Sequence, residues 1–233
     1  PAFSISPDVF IQSTVNRASQ VLSENISKEE KINQLKLIAK ETVDIRGVGF
    51  YSLGAARKSL NDEQKNTYSI LFERYFLKSF SSRLAEYTNP EIDVKNKQIL
   101  NNNYTIVNSI LIATEDRPEV KIDWRVYTKN PDNPLIRDLI IEGLSLARTQ
   151  KEEFASILNS NDGDITALFK ILISLLLDIR IDENSSFCVL AKLNPSTIKS
   201  LIKGLSGFFV YTLQSIFISG LPSNGETFEF IIV

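Results

Sequence analysis

The sequence predicts an α+β fold in which an antiparallel four-stranded sheet packs against several helices. Three observations carry this. Apolar residues repeat with helical spacing from residue 7 to 87. After Asn89-Pro90 the repeat changes to period two. From residue 144 the helical spacing returns. Helices, then a run of strands, then helices is the order of an α+β domain and not of alternating β-α-β units.

Taken in order, residues 7–24 read as an amphipathic helix. Ser6 stands where an N-cap is expected, Pro7 at the first helical position and Asp8 in the first turn. A second helix follows Ser27, where Ser27-Lys28-Glu29-Glu30 has the form of a capping box, and Ile32, Leu35, Ile38 and Ala39 keep helical spacing. Residues 44–58 predict a looser helix containing Gly47, Gly49 and Gly54. Each glycine costs about 1 kcal/mol in a helix interior, so close helix packing is the expected reason for them. A phosphate loop is the alternative, but Ser52 and Ala55 occupy the positions where the nucleotide motifs need glycine and lysine.

Residues 62–87 give the strongest helix signal. Asn61 and Gln64 form a capping box, and Tyr68, Phe72, Tyr75, Phe76, Phe80, Leu84 and Tyr87 make a wide aromatic stripe. Such a stripe serves a core or lines a cavity, and periodicity does not separate the two. Strands are expected at 91–99, 103–114, 119–128 and 134–142, joined by turn-rich connections short enough for a meander. In the third, Val120, Ile122, Trp124 and Val126 alternate with charged residues, the pattern of a half-buried antiparallel strand. Residues 144–159 return to helix, Asn161-Asp162-Gly163-Asp164 breaks it, and another helix starts near Ile165.

Composition narrows the function. The chain has 233 residues, 43% hydrophobic and 23% charged, with a net charge of -2. That is globular, and it lacks the basic surplus of a nucleic-acid binder. There is no histidine, which removes Ser-His and Cys-His mechanisms and imidazole-based zinc sites. The one cysteine, Cys188, forms no internal disulfide. Carboxylate-only chemistry survives: Asp138 and Glu142, on the expected last strand, have the spacing of a hydrolytic pair. The structural alternative, hydrogen bonds at the sheet edge and a cap for the next helix, is the expected one. Lys121 and Arg125 mark the polar strand face, as solvated charges or as a headgroup or partner contact. The chain begins at Pro1 and not at a methionine, for which removal of an N-terminal export signal is the simplest account.

Three blocks together resemble the MlaC-like, or toluene-tolerance, family of periplasmic phospholipid-binding proteins. The first is Ser52-Leu53-Gly54-Ala55-Ala56-Arg57-Lys58 with Asn61-Asp62-Glu63-Gln64-Lys65 and the stretch from Phe72 to Tyr87. The second is Val120-Lys121-Ile122-Asp123-Trp124-Arg125-Val126. The third runs from Ile136 to Ser145 and on to Gln150-Lys151-Glu152-Glu153-Phe154, with Gly163 to Leu168 closing the pattern. The resemblance spans roughly residues 8–171 and implies an NTF2-like wedge with a lipid cavity between sheet and helices. It also implies a periplasmic location, no cofactor, bound phospholipid as ligand and no catalytic or metal-binding residues. The implied protein partners are an inner-membrane ABC transporter complex and an outer-membrane lipoprotein complex. The candidate pocket lining is Leu53, Phe72, Phe76, Phe80, Ile106, Ile110, Ile122, Trp124, Val126, Leu139 and Ile141. The Phe72/Phe76/Phe80 helix is expected to cover the Trp124 face, leaving a gap for acyl chains. An NTF2-like enzyme acting on a small apolar substrate and a pure interaction module are the alternatives.

Residues 1–171 are therefore expected to form the lipid-binding domain and 172–233 a C-terminal extension. The extension holds only nine charged residues and an uncharged run from Gly204 to Leu221. A packed extension, a membrane-contacting segment and an out-of-frame tail all accord with that composition.

Overall fold

In the computed structural model the described residues are 5–115 and 118–177. The expected character of the C-terminal extension falls almost wholly outside them. The chain divides between Lys151 and Glu152 into two compact units.

The first unit begins with α1 (Pro7–Ser23), α2 (Lys28–Thr42) and α3 (Ile45–Ser52), followed by a 3-10 turn (Gly54–Lys58) and α4 (Asp62–Leu84). Five strands follow: β1 (Ile92–Asn101), β2 (Tyr104–Leu111), β3 (Val120–Tyr127), β4 (Leu135–Ile141) and the short β5 (Leu144–Ser145). They form one antiparallel sheet in sequence order. The fold is the α+β arrangement expected, with one more strand. The spacing predicts a helix from residue 144; instead Glu142 and Gly143 take left-handed backbone, φ 49° and 82°, and fold β5 back on β4 before α5 (Leu146–Asn159) begins.

Caps fix the helix boundaries. The Ser27 hydroxyl accepts the Glu30 N–H, and Asn61 with Gln64 forms a complete capping box. Ser6 does not cap α1 with its side chain; its hydroxyl bonds the Asp8 carboxylate, which also receives Lys97 from β1 at 2.7 Å. The helix expected over 44–58 breaks at Gly54, whose φ of +56° suits glycine and turns the chain into the 3-10 segment.

Two apolar clusters stabilise this unit. Ile11 and Val15 of α1 meet Val107, Ile122, Trp124, Val126 and Ile136 of the sheet. Val21 and Leu22 at the end of α1 meet Leu35 and Ile38 of α2, flanked by Leu84, Ala85 and Tyr87. Helix α4 packs on α2 and α3.

In the second unit, the rest of α5 and α6 (Ile165–Leu177) are joined by the expected Asn161–Asp164 break. Asp162 and Gly163 are left-handed there, and the Gly163 N–H donates to the Leu158 carbonyl at 2.8 Å. Phe154, Leu158, Leu168 and Leu172 are buried. Among the described residues no helix is long and apolar enough to cross a membrane.

Candidate functional site

Strand register sorts the candidate residues. Trp124 stands opposite Val107 on one side and Leu139 on the other; Ile122 stands opposite Ser109 and Ile141. Val126 faces Thr105 and Ile136 across a β-bulge that leaves Arg137 as the extra residue. Ile122, Trp124, Val126, Leu139 and Ile141 therefore share one face. Ile106 and Ile110 stand opposite Arg125 and Lys121 and lie on the other face. Phe72, Phe76 and Phe80 ride on α4, and Leu53 sits at the end of α3. The structure thus divides the eleven residues between the two sheet faces, α4 and the end of α3.

The first group backs onto α1. Trp124 is 7% exposed, and its indole N–H donates to Ser109 Oγ at 2.8 Å. The Ser109 hydroxyl donates in turn to the Ile122 carbonyl at 2.9 Å. The indole is thereby satisfied inside an apolar cluster, as a buried Trp requires. Ile11 and Val15 pack over it, with Phe10 and Val43 at the margin. This corrects the expectation that the aromatic helix α4 covers the Trp124 face: α1 does. Period-two alternation demands an apolar cover, but it does not say which amphipathic helix supplies it. Coverage thins toward β4, where Leu139 and Ile141 are only half-buried.

The aromatic group forms a ladder along α4. Ring centroids are 6.0 Å apart for Phe50–Tyr68, 5.7 Å for Tyr68–Phe72, 6.2 Å for Phe72–Phe76 and 5.3 Å for Phe76–Phe80. Phe72 is 1% exposed, whereas Phe76 and Phe80 are half-buried and stacked nearly parallel. Gly49 lets α3 approach this ladder: a Cβ there would lie 2.7 Å from Phe72 Cδ1. The expectation of close packing holds for that glycine. Tyr68 Oη lies 2.9 Å from both the Gly49 carbonyl and Ser52 Oγ, and burial pushes its phenol pKa up.

Sequence reasoning missed a cluster that joins helices to sheet. Asp44 caps α3 by accepting the Gly47 N–H and pairs with Arg137 Nε at 2.6 Å. Arg137 also donates to Tyr104 Oη at 2.7 Å and lies 3.6 Å from the Tyr127 ring centroid. The bulge carries Arg137 there, and no sequence pattern announces a bulge.

Asp138 and Glu142 do not act as a pair. Asp138 accepts the Ser145 hydroxyl at 2.6 Å and the Ala147 N–H at 3.0 Å, capping α5. Burial pushes its carboxyl pKa up, against those hydrogen bonds and the charge of Arg125. Glu142 lies beyond the end of β4 and accepts the Lys121 N–H at 2.6 Å. Among the described residues no group of three or more acidic, cysteine or histidine side chains is placed to hold a metal. A cavity of about 80 Å³ lies at the end of β2, lined by residues 88–91 and 111–114; none of the eleven candidates borders it.

Comparison with known proteins adds independent observations. No curated protein matches the chain. Among solved structures, a phospholipid-binding protein from Ralstonia solanacearum, determined in complex with a phospholipid, superposes with a TM-score of 0.64. The match is 17% identical and covers 75% of this chain and 98% of that one, a likeness of fold. The family model for MlaC protein matches residues 12–174, and on that match this chain belongs to the MlaC family.

Proposed function

We propose that this chain is a non-catalytic phospholipid carrier of the periplasm. The observation that carries the proposal is family membership across residues 12–174, the stretch that holds nearly all of the described fold. The fold shared with a phospholipid-binding protein supports it. The engagement of Asp138 and Glu142 with separate structural partners favours a carrier over a hydrolase.

In this proposal the candidate residues divide by exposure. Acyl chains take the rings that α4 leaves incompletely covered, Phe76 and Phe80; Leu139 and Ile141 are half-buried on one face of the sheet and Ile110 on the other, so these three do not line one surface together. Leu53, Phe72, Ile106, Ile122, Trp124 and Val126 are buried and form the supporting wall. Removing apolar surface from water contributes about 25 cal/mol per Å², so two acyl chains repay the ordering of a site. No cofactor is needed. In this proposal residues 1–171 form the carrier domain, with 172–233 as an extension. The carrier passes lipid between an inner-membrane ABC transporter complex and an outer-membrane lipoprotein complex and so maintains outer-membrane lipid asymmetry.

Mass spectrometry of the chain purified from a bacterial host tests this. Phospholipid in the organic extract is the expected result. A lipid-free protein that turns over a small apolar substrate would instead support an enzyme on the same fold.

A further inference from the structure

The carrier proposal leaves one charged surface unused. From Ile45 to Asn61 the chain carries three cations and no acid, and from Gly143 to Lys151 two cations and no acid. The fold brings these segments together. Tyr75 Oη bonds Gln150 at 3.0 Å, which seats the first turns of α5 beside α4. Lys151 then lies over Gly54: its Cε is 3.1 Å from where a Gly54 Cβ would stand, and its Nζ is 5.4 Å from the Tyr51 ring centroid. Arg57 and Lys58 follow Gly54 within the same five-residue turn. Arg57 and Lys58 are exposed, and Tyr51 is 44% exposed.

Acids flank these segments, and of them Glu63 is exposed at the start of α4. Asp44 is held by Arg137 and Asp62 by Lys65. The result is a local cationic surface on a chain whose net charge is -2.

We infer that Tyr51, Arg57, Lys58 and Lys151 form a docking surface for the anionic phosphate headgroups of a phospholipid bilayer. Three cations supply charge complementarity, and a half-exposed tyrosine suits the boundary between headgroups and water. Long Lys and Arg stems reach headgroups without inserting a helix. The surface presents the carrier to a membrane. It goes beyond the carrier proposal and does not require that a lipid be bound.

Co-sedimentation of the full chain with vesicles is the test. Mixed phosphatidylglycerol–phosphatidylcholine vesicles are compared with phosphatidylcholine alone. The chain is expected to sediment with the anionic vesicles only. The Arg57→Gln/Lys58→Gln/Lys151→Gln variant should lose at least roughly tenfold in vesicle affinity, since each juxtamembrane cation contributes substantially. Lys28→Gln/Lys129→Gln/Lys170→Gln removes the same charge elsewhere and should bind as the unaltered chain does. Circular dichroism verifies folding, and extracted phospholipid is quantified for each protein. Equal vesicle binding by both triple variants, or equal sedimentation with neutral and anionic vesicles, would overturn the inference. No sedimentation, with altered binding to an acidic protein, would reassign the surface to a protein partner. Absence of extracted phospholipid from the unaltered chain would count against the carrier proposal and leave the vesicle result to stand by itself.

Discussion

The Trp124 face of the sheet and the aromatic ladder of α4 look alike in sequence and differ in the fold. Each is a periodic apolar surface, the ladder built of aromatic rings and the sheet face of aliphatic side chains around one tryptophan. The sheet face is sealed: Val107 and Val126 are fully buried, Trp124 has its hydrogen bond, and α1 closes over all three. The ladder is graded, running from the buried Tyr68 and Phe72 to the half-buried Phe76 and Phe80. A sealed surface serves stability. A graded one has rings whose full burial awaits something else.

That contrast yields its largest expected effect at Trp124. Replacement by Ala should cost about 3–5 kcal/mol in urea unfolding, the usual range for a large buried aromatic. Trp124→Asp adds an unpaired carboxylate to the same cluster and should prevent folding, not merely displace lipid. A folded Trp124→Asp protein with normal stability would mean that the face is an open pocket after all.

Gly49→Ala comes next. The new Cβ meets Phe72 at 2.7 Å and the ring must shift. Overpacking of this kind costs about 1–3 kcal/mol, and displacement along the ladder should lower bound phospholipid with it. A stability loss with lipid content unchanged would separate the ladder from the binding site.

Phe76→Ala and Phe80→Ala should invert the Trp124 result. Half-buried rings lose less on truncation than sealed ones, on the order of 1–2 kcal/mol each. Bound phospholipid should fall more than the unfolding midpoint does. Undiminished lipid in both variants would remove these rings from the site.

Charge gives a smaller test with a definite sign. Burial, and secondarily the charge of Glu152, lifts the Glu153 carboxyl to about 8. The fold then binds a proton that the unfolded chain has released, so stability should fall as pH rises through that interval and recover on acidification. Asp138, also raised by burial, adds to the same trend. Glu153→Gln should flatten the dependence of the urea midpoint between about pH 5 and pH 8. Asp8 runs the other way. Hydrogen bonds from Lys97 and then Ser6 hold its carboxyl at about 2, and its contribution is lost as pH falls through that value.

Much of this was legible in the residues. Alternation around Trp124 identified β3 and its buried face, and Asn61 with Gln64 fixed the start of α4. Local chemistry of that kind lies within a few positions of the chain. Which helix covers which face does not: α1 reaches Trp124 from over 100 residues away in sequence, and its modest stripe is no more conspicuous than that of α4. Positive φ at Glu142 and the bulge at Arg137 are equally silent, since neither position is glycine. These two irregularities create β5 and the Asp44–Arg137 link.

The carrier proposal requires that this chain hold phospholipid away from a membrane. The full chain, stripped of lipid, is mixed with donor vesicles containing fluorescent phospholipid and then separated from them by gel filtration. Labelled lipid should elute with the protein, and less of it should do so with the Phe76→Ala/Phe80→Ala variant. Label that stays entirely with the vesicles, while the protein elutes folded and lipid-free, would contradict the account.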